Sequence, residues 1–250
     1  MKTKTLAFFG AVTLFAALTF SIQTFAQNTQ DQFITFDAPG AGPVGTMPQS
    51  INPAGAITGY YWDANYATHG FLRTSDGTIT TFDAPGAAIT TNFGTQALSI
   101  DPAGEITGQF EDVSGAYHGF LRSADGTIAT FDVPGAGTGS ILWTLASSIN
   151  PAGEITGYYE TAPPNFLRRP GRPHGFLRAK DGTITTFDAP GADQTTPQSI
   201  NPRGEITGSY NDTTGEHGFL RAADGTFTTF DAPGADQATP QSINPKSVIR

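Results

Sequence analysis

The chain has 250 residues, with 30 glycines, 18 prolines, 22 acidic and 13 basic side chains and a net charge of −9. Glycine and proline together make up about a fifth of the chain, which excludes a predominantly helical protein, and the negative charge excludes a basic nucleic-acid-binding protein. The absence of cysteine excludes disulfides, thiolate metal sites and a cysteine nucleophile.

The first predicted element is a secretory signal peptide at residues 1–26. Lys2 and Lys4 precede an apolar run that ends near Ile22, and small residues follow at a cleavage site before residue 27. The alternative is an uncleaved anchor, but the run is shorter than the roughly 20 residues that a membrane-spanning helix needs. We therefore predict a mature single repeat domain over 27–250, with no membrane span after cleavage. Loss of two lysines leaves it with 11 basic and 22 acidic residues.

Internal repeats organise the rest of the chain. The motif Phe-Asp-Ala/Val-Pro-Gly-Ala begins at residues 36, 82, 131, 187 and 230. The motif His-Gly-Phe-Leu-Arg begins at residues 69, 118, 174 and 217, and Ser-Ile-Asn/Asp-Pro begins at 50, 99, 148, 199 and 242. A unit of about 45 residues is therefore present four times, with part of a fifth.

Each unit contains four segments rich in Ile, Thr, Phe or Tyr that are separated by turn sequences. In the second unit the predicted strands are 97–100, 105–110, 118–122 and 127–131. Asp-Pro-Ala-Gly joins the first pair, and Asp125-Gly126, a strong hairpin signal, joins the last. Four antiparallel strands per unit predict an all-β fold, a β-propeller of four-stranded blades.

The predicted ring has five sectors, of which four are complete blades. A fourth strand at 33–36 and a first strand at 242–244 are expected to pair and close the ring, while the last sector lacks its middle strands. A four-bladed or open ring is the alternative. The chain could also be a truncated fragment of a larger surface protein.

Binding is expected on one face of the ring, where the variable loops between strands two and three lie. Aromatic side chains there stand beside carboxylates, an arrangement that suits sugar rings. The candidate ligand-binding residues are Tyr60, Tyr61, Trp62, Asp63, Phe110, Asp112, Tyr158, Tyr159, Glu160, Tyr210 and Asp212. The alternative is that the aromatic residues pack between blades and the acidic residues form turns.

Three further groups recur or stand out. The four histidines are expected to be structural, each bound to a turn or to the Asp of Phe-Asp-Ala-Pro; pH-responsive sites are the alternative. The arginines that end strand three are expected to form ion pairs. Arg168, Arg169 and Arg172 lie in an insertion of the third unit, which is either an anion-docking loop or a local duplication of Phe-Leu-Arg.

No catalytic motif, metal site or cofactor site is predicted from the sequence, although paired carboxylates could still meet in space. The predicted function is therefore that of a non-enzymatic exported protein that binds a glycan or a cell-surface protein. An enzyme acting on extracellular polysaccharide, as a glycoside hydrolase or lyase, is the alternative, and its carboxylates would be residues such as Asp63, Asp112, Glu160 or Asp212.

The repeated His-Gly-Phe-Leu-Arg, Gly-Glu-Ile-Thr-Gly and Asp-Gly-Thr-Ile-Thr-Thr-Phe-Asp-Ala-Pro-Gly-Ala sequences resemble those of the bacterial extracellular HAF-repeat proteins. The resemblance covers nearly all of residues 33–245, with His-Gly-Phe here where the family has His-Ala-Phe. It implies a bacterial protein that is secreted or held in the cell envelope, periplasmic or extracellular, with propeller-like repeats. It brings no catalytic residues with it.

Overall fold

Short antiparallel strands make up the regular structure of the computed structural model, which describes residues 33–90, 92–137, 143–161, 172–234 and 237–249. The strands are β1 (Thr46–Ile51), β2 (Ile57–Trp62), β3 (Thr68–Arg73), β4 (Ile79–Phe82), β5 (Thr95–Ile100), β6 (Ile106–Glu111), β7 (Tyr117–Arg122), β8 (Ile128–Phe131), β9 (Trp143–Ile149), β10 (Ile155–Thr161), β11 (Arg172–Arg178), β12 (Ile184–Phe187), β13 (Gln194–Ile200), β14 (Ile206–Asn211), β15 (Glu216–Arg221) and β16 (Phe227–Phe230). Among the described residues, no helix is long and apolar enough to cross a membrane.

Consecutive strands pair in groups of four, which gives blade 1 (β1–β4), blade 2 (β5–β8), blade 3 (β9–β12) and blade 4 (β13–β16). This confirms the predicted β-propeller fold of four-stranded antiparallel blades. A single parallel pair between Tyr117 and Trp143 joins blades 2 and 3 into one eight-stranded sheet. Residues 36–250 form one compact unit.

The predicted turns form because each combines an Asx side chain with a glycine. In the Asn-Pro-Ala-Gly turn, Asn52 Oδ1 accepts hydrogen bonds from the N–H groups of Ala54 and Ala56, at 3.1 and 3.0 Å. Gly55 has φ +79°, a conformation that residues with a Cβ rarely adopt. The Asn52 side chain therefore accepts hydrogen bonds from backbone N–H groups that would pair with a neighbouring strand if the strands were longer.

The hydrophobic core lies mainly between blades. The phenylalanine of each His-Gly-Phe-Leu-Arg motif is fully buried at Phe71, Phe120, Phe176 and Phe219. Each one meets, edge to face, the phenylalanine of the preceding Phe-Asp-Ala/Val-Pro motif, with ring centroids 5.9–6.4 Å apart. Each motif therefore anchors the blade that follows it.

The arginines that end the third strands stack on these same phenylalanine rings. The guanidinium carbon of Arg122 lies 5.0 Å from the ring centre of Phe82, and Arg221 lies 4.8 Å from Phe187. In the described part of the chain, Arg73 and Arg178 make the same contact, and none of the four forms a salt bridge. The predicted ion pairs are therefore replaced by cation–π contacts between blades.

Residues 237–249 continue the series of blades without forming a strand ladder. The Ile243 N–H donates to Ser199 Oγ at 3.4 Å, and Asn201 Nδ2 donates to the Asn244 carbonyl at 3.2 Å. Neither of the two segments expected to close the ring, 33–36 and 242–244, is a strand in the described structure. The described fold thus has four complete blades and the inner part of a fifth sector.

Candidate functional site

Three of the predicted ligand carboxylates are turn formers on the variable-loop face. Asp112 Oδ1 accepts hydrogen bonds from the N–H groups of Ser114 and Ala116, at 2.8 and 3.0 Å. Asp63 and Asp212 hold the corresponding turns of blades 1 and 4. Burial alone would raise the pKa of Asp112, but these bonds and those from the Ser114 and His118 side chains outweigh it and lower the pKa to about 2.

The histidines bind the aspartates of the Phe-Asp-Ala/Val-Pro motifs, as predicted. His118 Nδ1 lies 2.8 Å from Asp132 Oδ1, and its Nε2 lies 3.3 Å from Asp112 Oδ2. His69 and His217 lie between two aspartates in the same way, whereas His174 has Thr161 Oγ1 on its Nε2 side at 3.5 Å. These imidazoles are therefore structural links between strands and turns.

Four of the predicted binding aromatic residues are in the core. Tyr61, Phe110, Tyr159 and Tyr210 are 4–8% exposed. Each packs against the histidine of its own blade, with ring centroids 5.0–5.5 Å apart. These rings therefore contact other protein groups, which agrees with the alternative that the aromatic residues have a packing role.

The neighbouring aromatic residues on the second strands point to the other side of the sheet and are half-buried. Tyr60 and Trp62 of blade 1 meet edge to face with ring centroids 5.1 Å apart. Tyr158 occupies the place of Tyr60 in blade 3. Burial raises the pKa of both Tyr60 and Tyr158, and the charge of Glu160 adds to the shift at Tyr158.

A row of four side chains crosses the junction between blades 2 and 3. Glu111 pairs with Tyr117, Tyr117 with Trp143, and Trp143 with Glu160. Paired residues on adjacent strands project from the same face of a sheet, so two aromatic rings lie between two carboxylates. We call Glu111, Tyr117, Trp143 and Glu160 the carboxylate–aromatic row. The two rings are in contact, with centroids 4.9 Å apart.

The carboxylates of the row are held in an apolar setting. Glu111 is 5% exposed, and its Oε2 atom has no hydrogen-bond partner in the described structure. Burial raises the pKa of Glu111, and the charge of Asp112 adds to this, while a hydrogen bond with the Tyr117 side chain opposes it. Burial also raises the pKa of Glu160. The same burial and the bond to Glu111 raise the pKa of Tyr117.

This arrangement suits binding better than hydrolysis. Glu111 and Glu160 stand three strand spacings apart, about 14 Å between their backbones, and the two aromatic residues of the row lie between them. The half-buried rings of Tyr117 and Trp143 offer an apolar surface. The Oε2 atom of Glu111 has no partner among the described groups and is enclosed by protein, so the half-buried Glu160 is the carboxylate of the row that a ligand can reach. The described residues contain no group of three or more potential metal ligands.

Of the carboxylate–aromatic row, sequence reasoning found Glu160 but missed Glu111, Tyr117 and Trp143. Tyr117 immediately precedes a His-Gly-Phe-Leu-Arg motif, where the other units have Thr68, Pro173 or Glu216. This variation among otherwise constant repeats was the available signal. Nothing in the sequence indicated that Trp143 of the next blade would lie beside it.

Of the three inserted arginines, only Arg172 is among the described residues. Arg168 and Arg169 lie outside the described residues. Arg172 begins β11, and its Nη1 atom lies 2.9 Å from Asp193 Oδ1, with both side chains about half exposed. One cation of the predicted anion-docking loop is therefore already paired with an acidic residue.

Solved structures with similar folds include virginiamycin B lyase from Staphylococcus aureus, with 17% identity, a TM-score of 0.47, and coverage of 79% of this chain and 58% of that one. TolB from Acinetobacter baumannii has 14% identity and a TM-score of 0.49, over 74% of this chain and 42% of that one. A fucose-specific lectin from Aleuria aurantia has 14% identity and a TM-score of 0.45, over 80% and 67% of the two chains. No protein-family model and no curated protein matches the sequence. At these identities the similarity concerns the fold alone.

Proposed function

We propose that the protein is a non-enzymatic, exported repeat protein that binds a glycan at the carboxylate–aromatic row. The observation that carries this proposal is the contact between the half-buried rings of Tyr117 and Trp143, beside the half-buried carboxylate of Glu160. Export rests on the predicted signal peptide at 1–26, and fractionation of cells that produce the full chain tests it.

A sugar can interact with both kinds of side chain in the row, the aromatic rings and the carboxylates. The C–H face of a pyranose stacks on aromatic rings, and its hydroxyl groups donate hydrogen bonds to carboxylates. The two carboxylates and the net charge of −9 oppose binding of anionic sugars. Neutral or amino sugars are therefore the expected ligands.

A polysaccharide-acting enzyme is less well supported. Asp63, Asp112 and Asp212 are engaged in turns and beside histidines. The pKa of Asp112 and of Asp212 is lowered to about 2, at Asp212 chiefly by the Thr214 side chain, and a carboxyl that stays ionised is a poor general acid near neutral pH. In the row itself, Glu111 is closed to solvent and two aromatic residues stand between it and Glu160, so the two carboxylates do not form an accessible acid–base pair.

The test is a glycan array probed with residues 27–250, followed by titration of the best neutral or amino sugar. Trp62 and Trp143 are the only tryptophans, so a Trp62→Phe background reports Trp143 fluorescence alone. We expect a ligand-dependent change in that signal. Trp143→Ala, measured by calorimetry, is expected to weaken binding about fivefold, because stacking on one aromatic ring contributes about 1 kcal/mol.

Tyr66→Ala is the matched control, since Tyr66 is an aromatic residue with 47% exposure outside the row. It should leave the affinity unchanged. Tyr117→Phe keeps the ring and removes the hydroxyl, so it separates stacking from the contact with Glu111. Equal losses in Trp143→Ala and Tyr66→Ala, or an array without any hit, would refute binding at the row.

A further inference from the structure

The first strand of blade 1 lacks the covering that the other first strands have. Ile100, Ile149 and Ile200 are 5–6% exposed because each packs on the blade before it. Ile51, the equivalent residue of β1, is 65% exposed. The edge of β1 is therefore exposed, whereas the equivalent edges of the other three first strands are buried.

A groove of about 260 Å³ marks this surface. It is lined by Pro48, Gln49, Ser50, Ile51 and Ile57. Exposed sheet edges with apolar side chains are templates for association with another chain.

The chain itself shows what fits against such an edge. Two hydrogen bonds recur between successive first strands. The N–H of Ile100 donates to Ser50 Oγ at 3.3 Å, and Asn52 Nδ2 donates to the Asp101 carbonyl at 3.1 Å. The first contact recurs at each of the next three junctions, and the second at two of them.

The two ends of the described series are complementary in these groups. At β1, none of the described contacts of these two kinds involves the Ile51 N–H or the Asn52 carbonyl. At the other end, the exposed Ser242 hydroxyl and the Asn244 amide are the equivalents of Ser50 and Asn52. Each end holds the half of the contact that the other end lacks.

We propose that residues 242–249 of one copy dock on the β1 edge of a second copy, in a head-to-tail contact that repeats the contact between blades. A second copy is the occupant because the chain's own segment packs on blade 4 through Ser199 and Asn201 and leaves Ile51 exposed. Such a contact joins two different surfaces, so two copies can close into a pair or add further copies in a row.

The first experiment measures the mass of residues 27–250 in solution by light scattering over a range of concentrations. We expect dimers or larger species at micromolar concentration. Ile51→Asp and Ser242→Asp should each shift the protein toward monomer, because both positions are exposed and their replacement leaves the fold intact. Val113→Asp is the matched control, since Val113 is an apolar residue with 90% exposure elsewhere.

Mixing the two variants tests the head-to-tail geometry. The intact 242–249 segment of the Ile51→Asp protein can still dock on the intact β1 edge of the Ser242→Asp protein. The mixture should therefore form dimers that neither variant forms alone. A monomer at every concentration, or a mixture that stays monomeric, would overturn the proposal.

A cysteine pair distinguishes a second copy from closure within one chain. The native sequence has no cysteine, so an Ile51→Cys/Ser242→Cys protein has no competing thiols. Oxidation is expected to give covalent dimers and larger products on a denaturing gel. A disulfide within a single chain would instead show that the protein's own segment covers β1, and would overturn the proposal.

Discussion

Replacing Glu111 by glutamine is expected to make the protein more stable at neutral pH. Glu111 is 5% exposed, and one of its carboxylate oxygens has no partner in the described structure. A buried polar group without a partner costs about 1–3 kcal/mol. Glutamine removes the charge and keeps an oxygen for the Tyr117 hydroxyl, although its amide N–H groups also need partners. Because that amide group replaces an oxygen that is itself unpartnered, the gain comes from removing the buried charge. We expect about 1 kcal/mol, or about 2–4 °C in Tm for a domain of this size.

The gain should depend on pH in one direction. Burial raises the pKa of Glu111 above its unfolded value, so the fold disfavours the ionised form. That penalty is absent below the unfolded pKa of about 4.3 and is complete once the pH exceeds the folded pKa. Thermal and urea denaturation should therefore show the difference between Glu111→Gln and the native protein at pH 7, and a smaller difference near pH 4.

Glu160→Gln is the matched control for stability, because Glu160 is only half-buried and should give a smaller gain. The reasoning would be refuted if Glu111→Gln were less stable at pH 7, or if its advantage grew as the pH fell.

Three further predictions concern the repeated contacts. Arg122→Ala should lower the free energy of unfolding by about 2 kcal/mol, because the buried guanidinium stacks on a phenylalanine of the preceding blade. Gly119→Ala should cost about 1–3 kcal/mol, since its Cβ would lie 2.6 Å from the Phe131 ring. Asp231→Asn should lower the pKa of His217, which is raised chiefly by the hydrogen bond to Asp231, and NMR titration of the His217 ring protons reports it. Because that pKa is raised in the fold, the stabilisation is present below about pH 6.5 and disappears as the pH rises through the folded pKa.

Denaturation curves measure the first two effects, and Arg122→Lys, which keeps the charge but not the planar group, should recover only part of the loss. Unchanged stability in Arg122→Ala would show that the cation–π contact contributes nothing. A Gly119→Ala protein as stable as the native one would mean that the Phe131 ring moves at no cost. An unchanged His217 titration in Asp231→Asn would assign the shift to Asp212 instead.

The blade could be predicted from the sequence because its determinants are local. Asn52 and Gly55 form their turn with neighbours within four residues, and the repeats show which positions are constant. The carboxylate–aromatic row could not be predicted, because Tyr117 and Trp143 meet only through a parallel pair between blades. Side chains alternate along β2, so Tyr60 and Tyr61 project from opposite faces of the sheet. The sequence does not indicate which of the two faces packs in the core.

The stacking of Arg122 on a phenylalanine ring was not predicted either. A charged residue near acidic turns suggests an ion pair, and the ring on which Arg122 stacks belongs to another repeat, so the sequence does not indicate this contact. Closure of the ring depends on the angle between successive blades. That angle results from many small contacts such as Phe82 on Phe120, and no single motif encodes it.

The offset between the sequence repeat and the blade affects how such a protein can change in length during evolution. Phe36 and Ala38 begin a repeat in the sequence, yet they pack on blade 1 as the anchor for the strands that follow. A duplicated unit therefore carries both the blade and the anchor for its successor. Addition or loss of a whole unit therefore preserves the phenylalanine contact at the new junction.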